Sequence, residues 1–352
     1  MASPSAPLPV ISLSRLQEGS AAERSALRTA LTEHGFFYLG EHGISPALID
    51  AVFELQADFF SRPDEEKAIG IDRATNLGWT PIQQERLDEG RTGSNGDLKE
   101  SFYIGDGIVS NGDHHQTLPP SLEQARTQLE ALWNEARRVV LQLLDGFASV
   151  VGVEPGFFAP HHTGGLDRLR MIHYPPAPAT AQSEDGDIRA SQHSDYGSCT
   201  LLFQKDVGGL QVKLRSASLS AVGQDADTWI DVPPRPGLLV CNVADAMEFW
   251  TGGQLRSTIH RVRMPQDESE AGQSRYSIAF FAQPDEHTSL DPALLLSGQR
   301  GEEEESSAAA RLAEQRAVLA QLLRAKSIPL SAEGKPPTGG EYLSARLRAT
   351  YS

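Results

Sequence analysis

His193-Ser194-Asp195-Tyr196-Gly197-Ser198-Cys199-Thr200-Leu201-Leu202-Phe203 is the stretch that decides how this chain is read. It joins a His-x-Asp pair to Thr200-Leu201-Leu202-Phe203, a run with the composition of a strand. In an extended segment the side chains of residues i and i+2 share a face, so His193 and Asp195 can reach one ion. A second histidine follows in Leu255-Arg256-Ser257-Thr258-Ile259-His260-Arg261-Val262, another strand pattern, far enough along for the chain to return beside the first pair. Two imidazoles and a carboxylate suit Fe(II), holding it on one triangular face and leaving three positions for cosubstrate and dioxygen. Alone, His-x-Asp reads equally as a surface pair or a turn, and two histidines with a carboxylate also suit zinc. The remaining histidines lack comparable partners: His34 and His42 flank an early strand, and His114-His115 and His161-His162 are adjacent pairs in loop-like sequence.

Two further strand-like runs carry chemistry. Arg275-Tyr276-Ser277-Ile278-Ala279-Phe280-Phe281 places Arg275 and Ser277 on one face, and a guanidinium fork with a hydroxyl beside it is a receptor for a carboxylate. In Leu169-Arg170-Met171-Ile172-His173-Tyr174-Pro175-Pro176, alternation puts Arg170, Ile172 and Tyr174 on one face, and the prolines end the strand. The Tyr174 phenol can donate to the same carboxylate or can be a core tyrosine.

Outward from these runs, residues 169–281 alternate short apolar segments with Gly, Pro and Asp turns, the pattern of an antiparallel sandwich or barrel. Arg215 to Thr228 and Gln266 to Ser274 are small, polar and aperiodic, as surface loops are. The front of the chain is helical. Ser20 and Glu23 form a capping box for a helix of about 13 residues ending at Gly35; Phe36-Phe37-Tyr38-Leu39 reads as a strand, and Ser45-Pro46 opens a second helix that ends before Pro63. Residues 72–120 are rich in Gly, Asp and Asn and read as long loops. A capping box at Ser121 and Gln124 opens the longest helix, about 30 residues with an apolar stripe from Leu129 to Phe147, stopping at Gly152. Glu302 to Glu305 leads, as a solvated helix start, into a helix near Ser307 to Lys326, and another spans Glu341 to Thr350. No linker or repeat divides the chain. The expectation is one catalytic domain over 1–352, with a helical and loop part (1–120), the long helix (121–151), a β core holding the metal site (167–285) and C-terminal helices (306–352).

With 47 acidic residues against 31 basic and a formal charge of -16, the chain is a poor partner for nucleic acid or an anionic membrane. Its two cysteines, Cys199 and Cys241, make neither a disulfide scaffold nor a zinc cluster and fit a reducing compartment. No stretch approaches the roughly 18 apolar residues of a membrane span, and the N-terminus lacks the features of a signal peptide. The expectation is a cytoplasmic protein, most simply a monomer.

The ordered set of motifs resembles the iron(II)- and 2-oxoglutarate-dependent dioxygenases of the isopenicillin N synthase-like superfamily, nearly end to end. Leu8 to Leu13, His34 to Ile44, Asp97 to Tyr103 and Leu169 to Pro176 match family stretches. The most specific matches are His193-Ser194-Asp195-Tyr196-Gly197, Val207-Gly208-Gly209-Leu210-Gln211-Val212, Phe249-Trp250-Thr251-Gly252-Gly253, His260-Arg261-Val262 and Arg275-Tyr276-Ser277. The resemblance implies an α+β protein with a mainly β core, a double-stranded β-helix (jelly roll) flanked by helices. It implies His193, Asp195 and His260 as iron ligands and Arg275, Ser277 and Tyr174 as contacts to the remote carboxylate of 2-oxoglutarate. Asn242-Val243-Ala244-Asp245 departs from the family's Asn-x-Gly-Asp, and Ile172 stands where the plant branch often has Asn.

The activity so implied couples oxidative decarboxylation of 2-oxoglutarate to hydroxylation, desaturation or ring closure of a small organic metabolite. Trp79, Phe102, Phe249 and Phe281 are the expected substrate-pocket residues, each weighed against plain core packing. An iron oxidase that does not use 2-oxoglutarate, a non-catalytic ligand-binding protein and a zinc enzyme share enough of these motifs to stay as alternatives.

Overall fold

The computed structural model describes residues 8–85, 96–109, 115–176, 188–214, 228–266, 268–298, 305–331 and 334–351. Among them the alternating segments form two sheets. The larger has the order β1 (Val10–Ser12), β2 (Phe36–Gly40), β10 (Leu239–Val243), β7 (Cys199–Gln204), β12 (Arg275–Ala282), β5 (Arg168–Tyr174), β4 (Glu100–Ile104), β3 (Gly78–Thr80). The smaller has the order β6 (Ile188–His193), β11 (His260–Arg263), β8 (Leu210–Leu214), β9 (Thr228–Asp231). Every pairing is antiparallel except that of β1 with β2. The result is a jelly roll with helices packed on the large sheet.

Period-two alternation decides which face each residue of the large sheet serves. Leu169 and Met171 of β5, Leu201 and Phe203 of β7, Cys241 and Val243 of β10, and Ile278 and Phe280 of β12 all point to the helical side and join the main core. Their neighbours Arg170, Ile172 and Tyr174, Thr200 and Leu202, Asn242, and Arg275, Ser277 and Ala279 point the other way and line a cavity between the sheets. That interior is too polar for a plain sandwich core. A one-residue slip in any of these strands would turn its polar set into the helical layer, so the helix packing is what fixes the register of the cavity.

The helical layer is dominated by Arg126–Val151, 26 residues that bury Leu129, Leu132, Trp133, Ala136, Val139, Val140, Leu143, Leu144 and Phe147. Trp133 meets Phe280 of β12 edge-to-face at 5.2 Å between ring centroids. Helix Pro46–Phe60 packs beside it, and its fully buried Gln56 donates from Nε2 to the carbonyls of Ile172 (2.8 Å) and Ser277 (3.1 Å). One amide thus clamps β5 to β12 directly behind two cavity residues.

Several expectations are corrected. The long helix does not begin at Ser121, because Pro119-Pro120 starts a separate single turn, Pro120–Glu123, and the chain breaks at Ala125 before the main helix. Pro120 sets the first helical φ, which leaves Ser121 inside the turn and not at its cap. At the other end, Gly152 closes the helix in the left-handed region, φ 81°. The capping interaction at Ser20 is present, with the Glu23 N–H donating to Ser20 Oγ at 3.3 Å, but the Glu23 carboxylate reaches the Ser12 N–H. Residues 72–120 are not loops alone, since they supply β3 and β4. Within Gln266 to Ser274 there is a helical turn, Glu268–Ala271. Residues 215–227, most of the other expected loop, and Glu302 to Glu304 lie outside the described residues, while the helices that follow run Glu305–Ala325 and Gly339–Tyr351.

Candidate active site

His193 ends β6 and His260 begins β11, and the antiparallel register sets these two residues opposite each other. Their rings lie 4.3 Å apart, tilted by 52°. Asp195 sits beyond the strand, in the turn Ser194–Ser198, so the i and i+2 argument holds only as far as His193. The turn nevertheless brings Asp195 Oδ1 to 3.9 Å from His193 Nε2 and 3.6 Å from His260 Nε2. One ligand atom from each residue falls within 4.8 Å of the others, and among the described residues this is the grouping of such side chains compact enough to hold a metal.

Hydrogen bonds aim the three groups at a common centre. His193 Nδ1 is 2.7 Å from the Ser191 carbonyl and His260 Nδ1 is 3.2 Å from the Thr258 carbonyl, so each Nδ1 donates to the backbone and each Nε2 is turned toward Asp195. Phe36 holds the His260 ring edge-to-face at 5.3 Å. Asp195 uses its other oxygen, Oδ2, to accept from Thr200 Oγ1 (2.7 Å) and Asn242 Nδ2 (2.8 Å), so Oδ1 is the oxygen left for a metal. Burial, reinforced by the neighbouring His260, pushes the His193 imidazolium down to about 3. Burial opposes ionisation of Asp195, but the two imidazoles and the Thr200 and Asn242 bonds outweigh it and hold the carboxyl below its usual value. An imidazole that resists protonation at His193 and an ionised carboxylate at Asp195 suit a hard-to-borderline divalent cation. The donor set fits Fe(II).

The cavity beside the triad has two lobes. The inner lobe runs from His193, Asp195 and His260 to Arg275, Ser277 and Tyr174, walled by Ile172, Ala190, Leu202, Leu210 and Val262. Arg275 is 1 % exposed and stands opposite Tyr174 in the β12–β5 register, its guanidinium 4.8 Å from the centroid of that ring. Its Nε donates to the Gly208 carbonyl (2.9 Å), Nη2 to Gln204 Oε1 (3.1 Å) and Nη1 to Ser277 Oγ (3.4 Å). These bonds fix the guanidinium plane with its Ser277 edge toward the lobe. A buried cation held by neutral acceptors alone is a receptor for an anionic ligand group.

The outer lobe opens on the other side of His193 and Asp195. It is lined by Thr75, Asn76, Tyr103, Phe281, Gln283 and, from the C-terminal helix, Leu343, Leu347 and Thr350. Arg170 and Glu85 stand at the border, where Asp97, Lys99, Glu85 and Arg170 form a buried ionic chain: Lys99 Nζ lies 2.6 Å from Asp97 and 3.1 Å from Glu85, and Glu85 also pairs with Arg170. Burial disfavours the Glu85 carboxylate, but Arg170 and Lys99 outweigh it and hold the group well below the carboxylate range.

Of the four aromatic residues expected at a substrate pocket, Phe281 lines both lobes. The other three are packing residues. Phe102 is fully buried on the helical side of β4, edge-to-face with Phe59 at 5.0 Å, because its register position points away from the cavity. Phe249 is fully buried against Tyr342 at 4.9 Å. Trp79 donates from Nε1 to Glu100 Oε2 (2.8 Å) and lies under Lys67. The C-terminal leucines, Tyr103 and Gln283 carry no mark of the lobe in the sequence, and Glu85 none of its pairing with Arg170.

The profile of the 2OG-Fe(II) oxygenase superfamily matches residues 166–284, and that of the non-haem dioxygenase in morphine synthesis N-terminal region matches residues 8–122. The chain is 32% identical over 269 residues to the proline hydroxylase buaE of Petromyces alliaceus, covering 75% of this chain and 82% of the relative. It is 33% identical over 271 residues to the 2-oxoglutarate-dependent dioxygenase citB of Monascus ruber, covering 72% and 76%. The chain belongs to the 2OG-Fe(II) oxygenase superfamily. A solved structure of a full-length Neurospora crassa protein in complex with alpha-KG and 5-formyluracil superposes on this oxygenase with a TM-score of 0.73 at 25% identity, covering 97% of this chain and 96% of that one. The oxygenase is accordingly a 2-oxoglutarate- and iron-dependent dioxygenase of the isopenicillin N synthase-like kind, with Fe(II), 2-oxoglutarate and dioxygen as its cofactors. An iron oxidase that does not use 2-oxoglutarate and a non-catalytic ligand-binding protein are not favoured. No helix among the described residues is long and apolar enough to cross a membrane, and both cysteines are buried and unpaired.

Proposed function

We propose that His193, Asp195 and His260 hold the iron, that Arg275, Ser277 and Tyr174 hold the remote carboxylate of 2-oxoglutarate in the inner lobe, and that a small organic substrate enters the outer lobe. The observation that carries this reading is the inner lobe itself: it joins a three-donor metal set to a fixed, buried guanidinium, so a short dicarboxylate spanning it places its keto-acid end at the metal. Arg275 supplies the charge, Ser277 and Tyr174 add hydroxyls, and Ile172, Leu202 and Val262 grip the methylenes between. When bound, the iron supplies the dioxygen chemistry that turns 2-oxoglutarate into succinate and carbon dioxide and oxidises a substrate C–H bond.

The chain's own residues do the positioning. Ser191 and Thr258 carbonyls keep the histidine tautomers, and Thr200 and Asn242 keep the carboxylate rotamer, before any ligand arrives. The apolar walls of the inner lobe exclude bulk water from the metal. In the outer lobe Phe281 and Tyr103 supply aromatic rings, Leu343 and Leu347 an apolar wall, and Gln283, Asn76 and Arg168 polar groups. With Arg170, Glu85, Lys99 and Asp97 engaged with one another, this lining favours a small molecule with an apolar or planar body and few polar groups. The naming of one relative as a proline hydroxylase and the 5-formyluracil in the Neurospora structure agree with a compact substrate. We place the activity in one catalytic domain, supported by the core shared between helices and jelly roll, and take the protein to act as a monomer in the cytoplasm, a compartment with which its two free, buried cysteines agree.

The test is a metabolite screen for substrate-stimulated succinate release under Fe(II) and ascorbate, run beside Asp195→Ala. Stimulated release from the natural chain and none from the variant is the expected result. Equal succinate from both would remove the triad from the account.

A further inference from the structure

Resting on the metal-site reading above, we infer that Asp245 is a positioning residue that ties the C-terminal helix to the metal-holding turn, so that the wall of the outer lobe and the iron site are mechanically coupled. Asp245 opens the short helix Asp245–Trp250 and is completely buried. Its backbone N–H donates to the carbonyl of Asp195 itself (2.8 Å), and the next N–H, of Ala246, donates to the carbonyls of Tyr196 (3.1 Å) and Gly197 (2.9 Å). The Ala244 N–H takes the Ser198 carbonyl (3.1 Å). The turn that presents Asp195 therefore hangs, carbonyl by carbonyl, on this helix start.

The Asp245 side chain extends the link. Its Oδ2 accepts from Ser194 Oγ (2.9 Å), which sits between the two metal-facing residues, from Tyr342 OH (2.7 Å) and from Lys326 Nζ (3.0 Å). Lys326 also donates to Ser194 Oγ. Tyr342 belongs to helix Gly339–Tyr351, which returns to the same turn through Thr350, whose Oγ1 is 2.6 Å from Tyr196 OH, and through Arg346, stacked 4.9 Å over the Tyr196 ring. The adjoining face of that helix provides Leu343 and Leu347 to the outer lobe, with Thr350 at the boundary between the two faces. A molecule pressing on these leucines loads a helix whose polar anchors are the flanks of Asp195. By linkage, whatever order a substrate imposes on the helix appears as tighter metal holding, and metal binding returns the same factor to the substrate. A purely structural Tyr342 would stabilise the fold and leave metal affinity alone.

The experiment is anaerobic Fe(II) titration of the apo full-length chain, with thermal melting alongside, on Tyr342→Phe, Asp245→Asn and the control His260→Ala. Tyr342→Phe removes only the hydroxyl and keeps the ring packed on Phe249. Coupling predicts about tenfold weaker Fe(II) binding in Tyr342→Phe, the lower end of the range for groups that orient metal ligands, and a larger loss in Asp245→Asn. Loss of metal in His260→Ala with native affinity in Tyr342→Phe overturns this inference alone, whatever the melting temperature does. Native affinity in His260→Ala overturns the metal-site reading beneath it.

Discussion

Thr200→Val tests how much of the metal site is built by a residue that never touches the metal. Valine copies the shape of threonine on β7 and removes one group, the hydroxyl that donates to Asp195 Oδ2 at 2.7 Å. The acceptor is an ionised, buried carboxylate, so the bond is charge-assisted, and such bonds contribute about 1.5–3 kcal/mol. Asn242 remains as the sole donor to Oδ2, at 2.8 Å, and the carboxylate is free to rotate toward it. At about 1.4 kcal/mol per factor of ten, the lost orientation weakens Fe(II) binding by about 10- to 100-fold, the range seen for partners that fix metal ligands. Anaerobic titration with Fe(II) reads the change, and the 2-oxoglutarate affinity of the metal-loaded variant, whose Arg275 end is untouched, stays within about threefold of the natural chain. An Fe(II) affinity unchanged in Thr200→Val would refute the claim that Oδ1 and Oδ2 of Asp195 have separate jobs.

Two more perturbations follow from the same surroundings. Gly197 lies under β12 so closely that an added Cβ would stand 2.2 Å from the Ala282 carbonyl oxygen, so Gly197→Ala displaces the metal turn, lowers stability by about 1–3 kcal/mol in denaturant unfolding and weakens Fe(II) holding; a silent variant would mean the turn is slack. Glu248, next to Asp245, has its carboxyl pushed up to about 7 by burial first and by Asp245 second. A raised carboxyl favours the folded state below its unfolded value and loses that advantage as pH climbs toward 7, on the order of 3 kcal/mol. Glu248→Gln therefore flattens the fall in stability between about pH 4.5 and 7, and a curve parallel to that of the natural chain would contradict the assignment.

What the sequence disclosed and what it hid have separable physical causes. The inward set was legible because alternation in β5, β7 and β12 is strict: Arg170, Ile172 and Tyr174 share a face, as do Arg275, Ser277 and Phe281, and the helical layer enforces the register. Ala244 replaces the family's usual glycine without strain, since its backbone is extended, φ -113° and ψ 173°. Strand β4 was hidden because Asp97, Lys99 and Glu100 read as a solvated loop, whereas they are buried and paired. Polarity in a sequence does not distinguish water from a buried counterion. Phe102 and Phe249 misled for the converse reason: an aromatic residue among polar neighbours looks like a pocket wall, and only the register shows which side it faces. The outer lobe was least legible. Leu343, Leu347 and Thr350 reach it from the far end of the chain, and a leucine on an amphipathic helix carries no mark of what it covers.

The most direct measurement of the central claim, that one cavity joins the metal triad to a carboxylate receptor, is anaerobic binding of Fe(II) and then 2-oxoglutarate to Arg275→Leu and to His260→Ala. Breaking a buried charge pair costs about 3–5 kcal/mol, so Arg275→Leu should keep Fe(II) at near-native affinity and lose 2-oxoglutarate affinity by more than about 100-fold, while His260→Ala loses Fe(II). Native 2-oxoglutarate affinity in Arg275→Leu, with the fold intact, would contradict the account.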